Sequence, residues 1–155
     1  MTLYAIRPDP DSGSLDDGEV VDKSRYGWDF LPQAIALWRL VDPARADAIA
    51  AVKARAEDAT PDEPTRFAGA DLAELARLLD GIDVAIVGAG VVDDKWRVPA
   101  DRLDELAARV PGMDLTSERS LDSKRHALGE VMTNAISLHN FLADAARAGC
   151  VVVHD

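Results

Sequence analysis

Three histidines, one cysteine and a pair of close glycines could bind a metal, act as a nucleophile or cradle a phosphate. His126 is flanked by Asp122 four residues before it and Glu130 four after it. On one helix these three would share a stripe, which suits a metal and equally suits ordinary surface ion pairing. His139 follows 13 residues later, about 220° around a helix at 100° per residue, so the two histidines cannot chelate together. Beside Ile136 and Leu142, His139 reads as a hydrogen-bonded histidine at the edge of a core. His154 stands next to the last residue, where a chain frays. Cys150 opens an apolar run after Gly149 and reads as a small buried residue rather than a reactive thiol. The sequence contains no G-x-S-x-G, H-E-x-x-H or C-x-x-C pattern. No catalytic residue, catalytic metal or cofactor is expected, and the chain reads as a non-enzyme.

Two further motifs fail on inspection. Asp83-Val-Ala-Ile-Val-Gly-Ala-Gly-Val-Val-Asp93 begins like a dinucleotide fingerprint, but Asp93 stands where the third glycine belongs. Gly88-Ala89-Gly90 reads instead as a turn between two strands, Val84 to Val87 and Val91 to Val98. Asp9 and Asp11 open like a calcium loop. The positions that should carry an acid or amide, a glycine and a glutamate hold Gly13, Ser14 and Val20.

The stronger signal is electrostatic. The 155 residues include 28 acids and 17 Lys or Arg, a net charge of −11. That balance repels phosphate backbones and anionic lipid, which argues against nucleic-acid and membrane-surface binding. Residues 1–22 alone carry −5. Within them, residues 9–22 read as an acidic loop, followed by the aromatic stretch Tyr26 to Phe30. Acids around aromatics are the usual anatomy of a protein-binding surface, and a core wall under a helix start uses the same aromatics. The expected binding residues are Asp16, Asp17, Glu19, Asp22, Tyr26, Trp28 and Phe30.

The elements that must position these groups follow from periodicity. Thr2 to Ile6 reads as a strand ended by Pro8. The spacing of Phe30, Ala34, Leu37 and Val41 predicts a helix over 29–41. Asp42-Pro43 caps a second helix reaching about Glu57, and Asp58 to Pro64 reads as an exposed loop. Further helices are predicted over 71–79, 99–110 and 121–148. The last is closed by Gly149 and followed by a buried strand, Cys150 to Val153. The expected fold is α+β: a single domain over 1–155 with about five helices. Its small sheet holds both terminal strands side by side.

Asp22-Lys23 with Trp28-Asp29-Phe30-Leu31 resembles the helix start of the bacterial YfbM-like family of unknown function. The ending is similar to that family's close: a helix with Leu138, Phe141, Leu142 and Ala145-Ala146, then Gly149, then Cys150 to Val153. The two stretches cover about a third of the chain. The resemblance implies a compact α+β domain and no catalytic residues to carry over. It also brings relatives regarded as immunity factors against bacterial toxins.

One cysteine and no apolar run long enough to span a bilayer suggest a cytoplasmic protein. The leading reading is a non-catalytic acidic domain that occludes a basic protein, as an immunity-type inhibitor of a toxin or effector would. The alternative is a small-ligand-binding protein or enzyme with a pocket near Trp28, Trp96 and His139.

Overall fold

The computed structural model describes residues 2–24, 28–59, 65–116 and 118–154, with only the backbone at 28 and 59. The terminal strands meet as expected. β1 (Leu3–Arg7) pairs antiparallel with β4 (Val151–His154), and β4 pairs in turn with a two-residue strand, β3 (Arg66–Phe67). On the other side of β1 lies β2 (Glu19–Ser24), giving the order β2-β1-β4-β3. Residues 19–22 therefore belong to a hairpin strand rather than to the acidic loop predicted over 9–22. Two adjacent valines, Val20 and Val21, stand between polar residues without alternation, so the strand has no period-2 pattern to read. A register shift opposite Ala5 and Ile6 leaves Val21 as the extra residue of a bulge.

The five predicted helices are present as α1 (Leu31–Val41), α2 (Pro43–Ala59), α3 (Gly69–Leu79), α5 (Leu103–Arg109) and α7 (Ala127–Arg147). A 3-10 turn, Trp28–Phe30, leads into α1, and another, Ala100–Arg102, leads into α5. Asp42 starts α2 as predicted, its Oδ1 accepting from Arg45 N at 3.1 Å. Positions 60–64 of the predicted exposed loop lie outside the described residues.

Two segments differ from their sequence reading. Val84 to Val87 is not a strand but part of a helix, α4 (Ile82–Gly88). Strand geometry would put Ile82, Val84 and Ile86 on one face. Instead Ile82 and Ile86, one helical turn apart, are buried, while Val84 is 73% exposed. The core wants a period of four there, and that outweighs the β-propensity of the side chains. The glycines end the helix: Gly90, at φ 70°, donates its N–H to Val87 O, and Val91 N reaches Ile86 O. No strand precedes Gly88, so the structural context of a dinucleotide fingerprint is missing.

Val91 to Val98 is also not a strand. It is an irregular loop built around the Asp93 carboxylate, which accepts from Lys95 N at 2.9 Å, Arg97 N at 3.0 Å and Arg97 Nε at 3.0 Å. This cradle holds Trp96 in the left-handed region at φ 62°, a conformation that costs a non-glycine residue about 1 kcal/mol or more. The Arg97 backbone N–H, with that of Lys95 and the Arg97 guanidinium, holds the Asp93 carboxyl below its ordinary range. The last predicted helix also divides. α6 (Leu121–Arg125) ends at His126, and α7 begins at Ala127. Arg125 explains the break, since its Nε donates to Val98 O at 2.7 Å and its backbone O accepts from Val98 N.

The core lies between one sheet face and the helices. Ala5, Val152 and Phe67 are cross-strand neighbours, and with Leu3 they are buried against the helix layer. Tyr4, Ile6, Val151 and Val153 point the other way and are half-buried. α7 packs on α3, α1, α4 and β4. Its end is a glycine cap: Gly149 sits at φ 68° and Cys150 N reaches back to Ala145 O. Cys150 is buried, as expected.

Two outcomes test this account. Val152→Asp puts an unpaired charge at the fully buried centre of the sheet and should cost about 3–5 kcal/mol in urea unfolding. An Asp93→Asn variant should lose stability at neutral pH. Because the folded carboxyl titrates below its unfolded value, its contribution is present above the ordinary aspartate pKa of about 3.9 and fades as pH falls through the folded value. The gap between wild type and variant should therefore close towards pH 3. A gap that stays constant with pH would assign the loss to packing.

Candidate functional site

The hairpin from β1 to β2 carries most of the acids singled out by the sequence, and they divide into two kinds. Asp9 is structural. Its Oδ2 accepts from Ser12 N and Ser12 Oγ, both at 2.8 Å, and the Ser12 hydroxyl above all holds its carboxyl below the usual range. Glu19 is the cross-strand partner of Arg7 and forms an ion pair with it at 2.9 Å. Exposed pairs of this kind contribute under about 1 kcal/mol. Asp16 and Asp17 lie on the exposed turn before β2. Neither carboxylate has an ion-pair partner among the described residues. Gly18 closes that turn with its N–H on Leu15 O. A Cβ there would lie 2.7 Å from Arg7 O and 2.8 Å from Ile6 Cγ2.

The aromatic half of the predicted surface is less well represented. Tyr26 and the side chain of Trp28 lie outside the described residues. Phe30 is half-buried and packs on the core, so it serves as a wall under α1 rather than as a free contact residue.

Asp22 leads to a feature that sequence reasoning missed. β2 is an edge strand that overhangs the helix layer, and a groove opens between it and the C-terminal half of α7. Two adjoining cavities of about 240 and 350 Å³ share Asp22, Phe141 and Asp144. The first has an apolar floor of Ala5, Val21, Phe141, Ala145, Ala148 and Cys150. The second adds Lys23, Ser24, Ser137 and Asn140. Asp144 also pairs with Arg147, one helical turn away. The sequence does hold a trace of this groove: Phe141, Ala145 and Ala148 extend the apolar stripe of α7 to the exposed end of the helix.

The same edge is guarded against pairing with another strand. The bulge at Val21 breaks its register, and Asp22 Oδ1 accepts the Lys23 N–H at 2.8 Å.

The remaining chemical candidates are scattered. His126 is the junction of α6 and α7, so the Asp122, His126 and Glu130 stripe does not lie on one helix. Its Nε2 is 3.9 Å from Asp122, while Glu130 faces Arg119 at 3.3 Å. Among the described residues no group of three or more His, Cys, Asp or Glu side chains is placed to hold a metal ion. His139 is the core-edge histidine expected, with Nδ1 2.8 Å from Ala76 O and Nε2 3.5 Å from Asp80 Oδ1. The pocket expected near Trp28, Trp96 and His139 rests in part on the Trp28 side chain, which lies outside the described residues. The cleft at Trp38, about 540 Å³, is lined by Arg45, Asp42, Asp80 and the exposed face of α4. Arg45 lies over the indole, 4.2 Å from its centre.

No helix among the described residues is long and apolar enough to cross a membrane. Compared with family models, curated proteins and solved structures, the chain matches none.

Gly18→Ala tests how tightly the hairpin is built. Meeting a backbone carbonyl at 2.7 Å, the methyl should cost about 1–3 kcal/mol in denaturant unfolding. Amide exchange should speed up over residues 15–22. Unchanged stability would show a hairpin that adapts freely.

Proposed function

We propose that this chain is a non-catalytic, cytoplasmic protein-binding domain that neutralises a basic protein, in the manner of an immunity-type inhibitor of a toxin or effector. The observation that carries this reading is the placement of the acids. Asp16, Asp17, Glu19 and Asp22 sit on one hairpin at the edge of the sheet, exposed and clear of the core. The overall charge of −11 has the same sign. A surface of this kind steers a cationic partner, raising the association rate and rejecting anionic competitors. The resemblance to the YfbM-like family points in the same direction.

A second reading, a small-ligand site, draws on one observation. Trp38 Nε1 is buried with no acceptor among the described residues, and Trp38 lines the cleft that Asp80 links to His139. A ligand screen by thermal shift, with Trp38→Phe as control, separates the two. A stabilising compound that loses its effect in the variant favours this second site.

For the leading reading, the decisive variant is Asp16→Lys, Asp17→Lys and Glu19→Lys together. Association with a basic partner should slow at least ten-fold at low salt and lose most of its salt dependence, while dissociation changes little. A partner whose association rate is unaffected would place the contact elsewhere.

A further inference from the structure

We infer that the cleft at Trp38 takes a small uncharged molecule with an apolar body and a hydrogen-bond acceptor, and that Arg45 is its lid, an inference that rests on the small-ligand reading above. The acceptor is called for by Trp38 itself. Its side chain is 3% exposed, and its Nε1–H has no acceptor among the described residues. A buried indole N–H ordinarily has a partner, because a donor left unpaired loses its hydration and gains nothing in exchange. The apolar body follows from the walls. Val41, Val84, Ala85 and Ala89 line the cleft, and its volume of about 540 Å³ lies in the range of small-molecule sites. Val84 is 73% exposed, so a ligand there covers an apolar side chain that the fold leaves in water.

That the ligand is uncharged follows from the rim. Asp42 and Asp80 stand there and repel an anion. The indole face is the place that would attract a cation, and it already holds the Arg45 guanidinium 4.2 Å from its centre. Arg45 is tied down lightly. It donates to Asp80 O at 3.1 Å and faces the Asp42 carboxylate at 3.8 Å, beyond hydrogen-bond reach. Nε1 is closed off from solvent, and the long side chain lying over its ring is the one that can swing aside and open it.

The test is an NMR titration of the full-length, nitrogen-labelled chain, read at the tryptophan indole N–H signals. The chain has three tryptophans, and the signal lost in Trp38→Phe is that of Trp38. The probe is benzamide, carried to its solubility limit, with benzoate and benzylammonium for comparison. Benzamide should move the Trp38 indole proton downfield, as a new hydrogen bond does, together with the amides of residues 41–45 and 81–89. Both ions should bind more weakly. Trp38→Phe keeps an aromatic ring without the donor and should weaken benzamide about five-fold. Val84→Ser, at an exposed position where folding is not at stake, should weaken it about three-fold. Arg45→Ala should tighten it about three-fold by removing the lid. Binding of either ion as tight as that of benzamide would overturn the ligand class while leaving a small-ligand site at Trp38. Unchanged benzamide binding in Trp38→Phe would overturn the acceptor, with the site again intact, and unchanged binding in Val84→Ser would overturn the apolar wall. Weaker binding in Arg45→Ala would overturn the lid. Failure of every probe to shift residues 41–45 and 81–89 would overturn both the inference and the reading beneath it.

Discussion

From Leu128 to Ala145, the buried side chains of α7 cover roughly half of its circumference at 100° per residue. No single neighbour can cover a surface that wide, so the rest of the chain is arranged to surround it. α3, α1 and α4 supply helical walls, and β4 brings the sheet against it. The break at His126 follows from the same need. It lets α6 turn aside to bind Val98 while α7 keeps its line through the core. The glycine cap at Gly149 then reverses the chain so that Val152 lands on the same core.

The groove follows from that geometry. α7 meets both β4 and the edge strand β2. Val21 and Asp22 on that strand overlook the helix rather than pack under it. The −5 charge over residues 1–22 is therefore not one uniform loop. Part of it builds the hairpin, as with Asp9 on Ser12. Part is neutralised across the strands, as with Glu19 on Arg7. What remains is Asp11, Asp16, Asp17 and Asp22, all exposed.

Much of this was legible in the sequence. Helices with three- and four-residue apolar spacing, such as Leu72, Leu75 and Leu79, were readable because one side of each is buried by a continuous layer. Both terminal strands were readable as short apolar runs beside prolines or glycines. The misread segments share a cause. Val84 to Val98 is rich in β-branched residues, yet its conformation is decided by long-range facts: which isoleucines the core accepts, and which N–H groups Asp93 gathers. β2 was hidden because five of its six residues are exposed and carry no burial rhythm. The groove was invisible because its two walls, Asp22 and Asp144, are 122 residues apart in the sequence.

The strand order carries a consequence for how the molecule is made. β4 lies between β1 and β3, so one of the two inner positions of the sheet is filled by residues 151–154. During synthesis β1 and β2 leave the ribosome one after the other and can pair at once. β1 must then wait for everything between Ser24 and Val151 before its other edge is satisfied. Closing so long a loop is entropically slow. Until it closes, β1, β3 and the apolar stripe of α7 lack the strand that joins them. The sheet is completed only when β4, one of its two inner strands, arrives.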